Sequence, residues 1–503
     1  MKKYVLICLG LLSGIASWGQ ERFLDSVFQD VTVTKDITYG ENFTVLTVPA
    51  TGKASLEALK LDVFEPTGDS LEMRPLVLIC HTGNFLPHPL NGSIAGNKNI
   101  DSTTIEIANR LARMGYVAAN IDYRLGWNPV APTVEERTNT LINAAYRGVQ
   151  DLRTAVRYFK KEAAENGNPY RVDTSRIVAW GMGTGAYLAL ISAMLDNYED
   201  IIIPKFIGSD INGDNQPDPM VIPQIHGDIY GTSYGVHPLS GDTLSVPNHV
   251  GYNSDFHLTV NVGGATGDSS WLDGGDGPFI SFHVPTDPFA PYKEGTVIVP
   301  TTQQQVVEVQ GSFIVDSLAN VYGNNQVFTD LELDDSITLV AQSRRGDIEG
   351  LMPLIGTGGP NDSAPWQFWD KATNPNSDNE LMLNPDMSKE KALKYIDTIV
   401  TFFAPRAFAA LELGDLTYVE NLKIETGLKI YPNLITNECM IQTDLDHPFE
   451  AIHIYNQQGR LMKRVDQIKT NRFTLDMNGM PSGLYFVRVN TKGGASVSRV
   501  IKL

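Results

Sequence analysis

The sequence predicts an α/β protein in which a mostly parallel sheet is covered by helices on both faces and is followed by a small all-β sandwich. Between residues 20 and 415, short apolar runs alternate with amphipathic stretches of helical period, the pattern of strand–helix–strand units. From residue 428 onward only short runs of alternating polarity remain, separated by turn-forming residues. A chain of 503 residues is long enough for more than one hydrophobic core.

The first half of the large domain shows the strand–helix–strand pattern most clearly. Residues 75–80 form an uninterrupted apolar run typical of a buried strand, residues 103–114 have helical spacing, and residues 116–121 predict the next strand. Apolar residues recur every three or four positions over 137–166, which predicts a long amphipathic helix. A strand at 176–180 then leads directly into a glycine-rich turn.

The second half of the large domain is less regular. After an apolar helix over 186–195, residues 196–277 are richer in Gly, Asp and Asn and lose the alternation, so we expect a cap or insert there. Residues 278–283 predict a further strand. A last helix is predicted over 388–412, with Ser388 as its N-cap.

The charge balance excludes two classes of function. The chain has 39 Lys and Arg against 58 Asp and Glu, and its formal net charge is −19. Binding to nucleic acid or to anionic lipid requires a basic surface, so we expect no nucleic-acid partner. Cys80 and Cys439 fall in different predicted domains, and no structural disulfide is expected between them.

The amino terminus predicts a signal peptide over residues 1–19. Lys2 and Lys3 precede an apolar run over 4–12, and small residues follow before Gln20. The alternative is a single membrane anchor, but the run is well short of the ~20 residues that a span needs. We therefore expect a secreted chain with no membrane span after cleavage.

The carboxy-terminal region, residues 428–503, follows an expected linker over 416–427 and contains four characteristic segments. They are Lys429-Ile-Tyr-Pro-Asn433, Ile452-His-Ile-Tyr-Asn456, Ser482-Gly-Leu-Tyr-Phe-Val-Arg-Val489 and Ser498-Arg-Val-Ile-Lys502. With these segments the region resembles the type A sorting domain of the type IX secretion system. The resemblance implies the secretion machinery as partner and delivery to the outer-membrane cell surface. The alternative is a carbohydrate-binding or other accessory sandwich.

The large domain contains five characteristic segments in order. They are Cys80-His-Thr-Gly-Asn-Phe85, Asn120-Ile-Asp-Tyr-Arg-Leu125, Ala145-Tyr-Arg-Gly-Val-Gln-Asp-Leu-Arg153, Trp180-Gly-Met-Gly-Thr-Gly185 and His283-Val-Pro-Thr-Asp-Pro288. With these segments the domain resembles the α/β-hydrolases of the carboxylesterase and feruloyl-esterase-like group. The resemblance implies an esterase ancestry and a fold that requires no cofactor.

The catalytic triad that the resemblance implies is incomplete. The nucleophile position of the G-x-S-x-G turn is Gly183, which has no side chain. Asp287 occupies the position of the triad acid, although a turn aspartate before a proline is an equally simple interpretation. The sequence has no histidine between Asp287 and the carboxy-terminal domain, so the base is missing as well. An acyl-enzyme mechanism requires both groups.

The oxyanion loop is better preserved than the triad. Thr82, Gly83 and Asn84 follow a strand and offer backbone amides to a ligand oxygen. Thr184 lies one position beyond the nucleophile site, where packing or capping is the more common role. His81 is expected to be structural, and the strand position of His283 predicts a buried, hydrogen-bonded ring, with an approach to the pocket as the alternative. A ligand pocket for an ester or a glycan is therefore expected to survive without the chemistry.

Four tryptophans lie in loop-like sequence, Trp127, Trp271, Trp366 and Trp369. They are interpreted either as the walls of an aromatic cleft or as core residues under long loops.

A second candidate site is a calcium loop. Asp210, Asn212, Asp214 and Asp218 place oxygen side chains at positions one, three, five and nine of an EF-hand-like spacing. Position twelve is Val221, so the bidentate carboxylate is missing. A polar surface turn is the competing interpretation, and the sequence does not decide between them.

These observations lead to three hypotheses of function. The first is a secreted, surface-delivered protein of esterase ancestry that is catalytically degenerate and acts in binding. The second is an active carboxylesterase-type hydrolase with an unconventional nucleophile, such as a Ser or Asp from 196–277. The third is a structural surface or adhesion protein.

Overall fold

This computed structural model describes residues 21–299, 302–372, 374, 380–414, 428–432, 434–443, 448–456, 461–466, 468–491 and 494–503. The expected signal peptide and linker lie outside the described residues.

The large domain is built on one central sheet. Its strands, with those of two smaller sheets, are β1 (Val31–Thr44), β2 (Ser55–Pro66), β3 (Arg74–Cys80), β4 (Val117–Ile121), β5 (Val172–Met182), β6 (Gly235–Val236), β7 (Thr243–Ser245), β8 (Leu258–Val262), β9 (Ala265–Thr266), β10 (Phe279–His283), β11 (Glu294–Ile298), β12 (Gln305–Gly311) and β13 (Leu351–Pro353). In the described part of the chain, the central sheet has the order β1-β2-β4-β3-β5-β8-β10-β13. Strand β2 is antiparallel to both of its neighbours, β1 and β4. The other strands of this sheet, β4, β3, β5, β8, β10 and β13, run parallel to one another.

Helices cover both faces of this sheet. They are α1 (Val48–Thr51), α2 (His88–Asn91), α3 (Ser102–Met114), α4 (Val134–Glu165), α5 (Thr184–Met194), α6 (Pro223–His226), α7 (Ser312–Tyr322), α8 (Gln326–Thr329), α9 (Ser336–Arg345), α10 (Glu380–Leu383) and α11 (Lys389–Ala410). Short 3₁₀ turns lie at Tyr198–Ile201, Pro204–Phe206 and Ser269–Trp271. One core cluster packs α4, α5 and α7 on the sheet, and a second packs α3, α9 and α11. The predicted fold class of this domain is confirmed.

Local sequence explains where the long helices begin. The carboxylate of Asp101 accepts hydrogen bonds from the amides of Thr103 and Thr104 at the start of α3. The Ser388 hydroxyl accepts from the amide of Lys391 at the start of α11, as predicted. Each side chain satisfies backbone donors that have no partner within the helix.

The predicted insert over 196–277 is wrong in one respect, because it contains a central strand. Strand β8 is fully buried and pairs in parallel with β5 and β10. Its apolar residues, Leu258, Val260 and Val262, alternate with Thr259 and Asn261. The strand is only five residues long and is flanked by Gly-, Asp- and Asn-rich sequence, which hides its pattern.

The carboxy-terminal domain is all-β. Its strands are β14 (Lys429–Tyr431), β15 (Leu434–Ile435), β16 (Glu438–Gln442), β17 (Phe449–Asn456), β18 (Leu461–Asp466), β19 (Arg472–Asp476), β20 (Gly483–Thr491) and β21 (Gly494–Lys502). They form sheets of order β14-β16-β19 and β15-β21-β20-β17-β18. Inward residues such as Ile441, Ile452 and Val487 form a separate core. The predicted small all-β domain is confirmed.

Two smaller observations concern the described residues. Cys80 and Cys439 are both buried and free. Within the described ranges, no helix is both long and apolar enough to cross a bilayer.

The topology brings four loops together. Strands β3, β5, β10 and β13 are parallel, so their carboxyl ends meet at one edge of the sheet. Ligands of open α/β sheets bind at this edge. The chain segments that leave these four strands build the candidate site described next.

Candidate active site

The turn between β5 and α5 keeps the backbone of a nucleophile elbow. Gly183 has φ 51° and ψ −117°, a strained left-handed conformation, and α5 begins at the next residue. The two flanking glycines allow close approach of the backbone. A Cβ on Gly185 would lie 2.3 Å from the carbonyl oxygen of Cys80, and one on Gly181 would lie 2.2 Å from that of Gly185. The elbow is therefore intact in shape although it carries no nucleophile.

The side-chain space at Gly183 is already occupied. A Cβ built on Gly183 would lie 2.2 Å from Thr82 Oγ1 and 2.9 Å from Thr82 Cβ. Real Cβ atoms essentially never approach another heavy atom so closely. The hydroxyl of Thr82 thus stands where the nucleophile's side chain would begin, and the structure brings these two predicted site residues together.

The oxyanion loop is held in an unusual conformation by one amide side chain. Gly83, Asn84 and Phe85 all have positive φ, at 132°, 56° and 53°. Nδ2 of Asn91 donates to the carbonyl oxygens of Gly83 and Leu86 at 3.3 and 3.0 Å. Within the described residues, the backbone amides of Asn84 and Thr184 have no hydrogen-bond partner. These amides are therefore available to a ligand oxygen.

Asp287 is a buried carboxylate at the carboxyl end of β10. Its Oδ1 accepts hydrogen bonds from the backbone amides of Phe289 and Ala290 at 2.8 and 3.0 Å. Burial raises the pKa of Asp287 to about 7, and these two amides oppose the rise. Its Oδ2 lies 3.9 Å from His283 Nε2, beyond hydrogen-bond distance.

The histidines near the site are structural, as expected. His283 is fully buried, with Nδ1 2.7 Å from Ser312 Oγ and Nε2 2.9 Å from the carbonyl oxygen of Ala290. Burial lowers its pKa to about 4, so the ring stays neutral. The His81 ring stacks on Tyr123, and its Nδ1 lies 2.6 Å from the carbonyl oxygen of Thr82. Neither ring lines the cavity among the residues that the structure describes.

A cavity of about 170 Å³ opens between these loops. Thr82, Asn84, Gly183, Thr184 and Asp287 all line it, together with apolar side chains from α4, α5 and the β11–β12 hairpin. The wall is mainly aliphatic and aromatic, with few polar groups, which is the usual character of a small-molecule pocket. Five of the residues that the sequence assigned to one site therefore share one cavity.

Two sequence families match this chain. Residues 61–216 match the BD-FAE family, and this matched range includes the oxyanion loop and the elbow. Residues 429–503 match the secretion system C-terminal sorting domain. The chain is an α/β-hydrolase-fold protein with a secretion sorting domain. Both resemblances stated from the sequence are confirmed. The sorting domain indicates secretion by the type IX machinery, followed by attachment to the cell surface or release.

Some of the solved structures that match this chain are esterases. Esterase B from Lactobacillus rhamnosis has 17% identity over 47% of this chain and 50% of its own, with a TM-score of 0.26. Esterase 2 from Thermogutta terrifontis phosphorylated by paraoxon has 17% identity over 52% of this chain and 73% of its own, with a TM-score of 0.29. The propionate-bound form of that esterase has 15% identity over 73% of this chain and 94% of its own, with a TM-score of 0.32. This chain thus spans half the length of the Lactobacillus esterase. A search of curated proteins finds no significant match.

The four tryptophans divide between the two interpretations. Trp127 and Trp366 line the cavity of the hydrolase-fold domain. Trp127 Nε1 also donates to the carbonyl oxygen of Asn84 at 2.7 Å, which fixes the oxyanion loop. Trp271 packs on Phe206, and Trp369 belongs to a small cluster elsewhere.

The candidate calcium loop is closed by its own hydrogen bonds. Asp210 accepts from the amides of Gly213, Asp214 and Asn215, at 2.6 to 3.2 Å. Asp218 accepts from the amides of Ile211 and Asn212. Among the described residues, no group of three or more His, Cys, Asp or Glu is arranged to hold a metal ion. The calcium site stays a prediction.

Two polar residues of the cavity escaped sequence reasoning. Glu380 begins α10, and Gln367 lies in the loop between β13 and that helix. Both line the cavity, and their side chains are buried. Neither belongs to a periodic pattern or to a motif, so the sequence offered no signal for them.

Proposed function

We propose that this secreted protein binds a small molecule in the former esterase site and does not hydrolyse it. The observation that carries the proposal is the contact between Thr82 and Gly183. The nucleophile is missing, and the place of its side chain is taken by a hydroxyl from the oxyanion loop. The loss is therefore accommodated by the surrounding structure, while the cavity stays open.

The base and the acid support the same conclusion. No histidine is among the described lining residues, so an attacking hydroxyl would have no imidazole to take its proton. Asp287 keeps the acid's place, but His283 is the nearest imidazole and bonds to Ser312 and Ala290 instead. A carboxyl with a pKa of about 7 and no imidazole to orient is suited to holding a ligand.

An active esterase with an unconventional nucleophile is the second candidate. Among described residues, segment 196–277 contributes only Gly263 and Gly267 to the cavity, so the expected Ser or Asp nucleophile from that segment has no support. The hydroxyl of Thr82 is the best-placed alternative nucleophile, because it lies where the side chain of Gly183 would begin.

The rate of 4-nitrophenyl butyrate hydrolysis distinguishes the binding protein from the active esterase. It is measured for the purified unmodified protein and for its Thr82→Ala and Thr82→Ser variants. The binding proposal predicts the same background rate for all three proteins. Turnover that is lost in Thr82→Ala and retained in Thr82→Ser would establish the active esterase instead. Binding is followed in the same preparation by quenching of tryptophan fluorescence, since Trp127 and Trp366 line the cavity.

A further inference from the structure

The cavity contains two buried acidic side chains. The side chain of Asp287 is 7% exposed, and Glu380 is 4% exposed. Burial is the main cause that raises the pKa of each carboxyl to about 7, and Glu380 is partly stabilised by Ser93 and the amide of Ile94. No Lys, Arg or His is among the lining residues that the structure describes. The two carboxyls therefore face the cavity without a cationic partner.

The side-chain oxygen of Gln367 is a third hydrogen-bond acceptor among the residues that line the cavity. Gln367 lines the cavity, is 7% exposed, and its Oε1 is fully buried without a hydrogen-bond partner in the described chain. A buried acceptor left unpaired destabilises the folded state, and a donor on a ligand would offset that cost. Gln367 Oε1, Asp287 and Glu380 are all acceptors, so they favour a ligand that donates hydrogen bonds.

The rest of the wall fits a cation with an apolar body. Trp127, Trp366, Tyr187, Phe85 and Phe289 line the cavity, and aromatic faces attract cations. The volume of about 170 Å³ is close to the ~150 Å³ apolar cavity that holds one benzene ring. The net charge of −19 also attracts cations to the protein.

We propose that the ligand is a small organic cation, an ammonium on an apolar body of about one ring, with its donors directed at Asp287, Glu380 and Gln367. This inference rests on the proposed function, because it names the ligand class of the same site. It differs from the ester or glycan expected from ancestry.

The groups around the two carboxyls do not supply a competing positive charge. Asp287 is near Tyr187 and His283, and burial keeps both neutral because it raises the pKa of the phenol and lowers that of the imidazole. Glu380 is near Asp101, whose pKa is also raised by burial. A bound ammonium would favour the ionised forms of Asp287 and Glu380, so its affinity should rise with pH through about 7.

Calorimetric titration with three probes of similar shape tests this proposal. They are 2-phenylethylamine, 2-phenylethanol and phenylacetate, which are cationic, neutral and anionic at pH 8. We expect the amine to bind on the order of tenfold more tightly than the alcohol, and the acid to bind weakest. At pH 5.5 the amine should bind about tenfold more weakly than at pH 8, since the amine remains protonated and the carboxyls do not remain ionised.

Isosteric variants assign the effect to the cavity. Asp287→Asn and Glu380→Gln should each weaken binding of the amine by about tenfold and change binding of the alcohol by less than about twofold. Glu72→Gln removes one charge at an exposed position and should change neither. Circular dichroism checks that each variant folds, and the pH dependence of the unmodified protein remains as a test if one does not.

Equal binding of amine and alcohol, a preference for phenylacetate, or no binding of any probe would overturn the inference. Amine binding that survives unchanged in both carboxyl variants would do the same. Hydrolysis of 4-nitrophenyl butyrate by the same preparation would refute the proposed function separately. In that event a preference for the amine, measured as competitive inhibition, would still identify the cavity as a cation site.

Discussion

The turn after β5 and the loop after β13 lack the nucleophile and the base that the esterase resemblance implies, and they differ in what they have instead. The turn has the backbone of the elbow at Gly183, with Thr82 Oγ1 in the space where a side chain would begin. The loop after β13 brings Trp366 and Gln367 to the cavity and has no histidine. The turn thus has the expected backbone without a side chain, and the loop has other side chains.

Packing explains the difference. The elbow lies between the carbonyl oxygen of Cys80 and the start of α5, and a Cβ at Gly181 or Gly185 would collide with backbone atoms. Its shape is therefore required for the central sheet and α5 to pack, whatever the site does. Residues 354–372 after β13 form no helix or strand, so no regular element fixes which side chains they bring to the cavity.

The largest expected effect comes from breaking the elbow. Gly185→Ala should lower the free energy of unfolding by about 3 kcal/mol, because the new Cβ meets the backbone of Cys80 at 2.3 Å. Gly274→Ala is the matched control, since Gly274, like Gly185, has no positive φ and its new Cβ would meet the nearest atom at an ordinary 3.6 Å. It should change the free energy of unfolding by less than about 0.5 kcal/mol. Equal losses in urea denaturation would show that the elbow is not tightly packed.

The contact between Thr82 and Gly183 predicts an interaction between two substitutions. Gly183→Ala should cost about 2 kcal/mol, because the methyl group meets Thr82 Oγ1 and φ is positive. In a Thr82→Ala background the cost should fall by about 1 kcal/mol, since the hydroxyl is gone. A double-mutant cycle of unfolding free energies measures this coupling. Strict additivity would contradict the assigned position of Thr82.

The pKa of Asp287 predicts how stability depends on pH. Its folded value of about 7 lies above the ordinary value of 3.8, so the folded state binds more protons and stability falls as pH rises through this range. Asp287→Asn should remove this contribution, on the order of 1–2 kcal/mol between pH 5 and 8. Thermal unfolding across pH, with Glu72→Gln as control, measures the difference. Parallel curves for wild type and Asp287→Asn would show an ordinary carboxyl.

The smallest effect concerns the start of α11. Ser388→Ala removes the side-chain acceptor for the amide of Lys391 and should cost about 1 kcal/mol of unfolding free energy. Ser388→Asp keeps an acceptor and should retain stability. A loss of the same size in both variants would mean that this cap does not stabilise α11.

Most of the fold follows from local patterns. Long apolar or amphipathic runs predicted α3, α4, α5, α11 and the strands β3, β4, β5 and β10, since their burial imposes the period of each element. Strands β1 and β13 of the central sheet were not predicted. Strand β8 was missed because five residues between polar, glycine-rich segments give too little pattern.

The candidate site was predictable only where it follows a motif. The G-x-S-x-G spacing located Gly183, and the order of segments located Asp287. The contact of Thr82 with Gly183 depends on how β3 and β5 pair, which no local pattern contains. Gln367 reaches the cavity from an irregular loop and Glu380 from the short helix α10, and the position of both depends on the whole tertiary structure.

Intact mass spectrometry after incubation with paraoxon shows whether the cavity holds a reactive hydroxyl, because this organophosphate phosphorylates an activated hydroxyl. We expect an unchanged mass, since the elbow has no nucleophile and no described histidine lines the cavity to activate Thr82. A stoichiometric phosphoryl adduct on Thr82, Thr184 or another hydroxyl of the cavity would show that the site is catalytically competent.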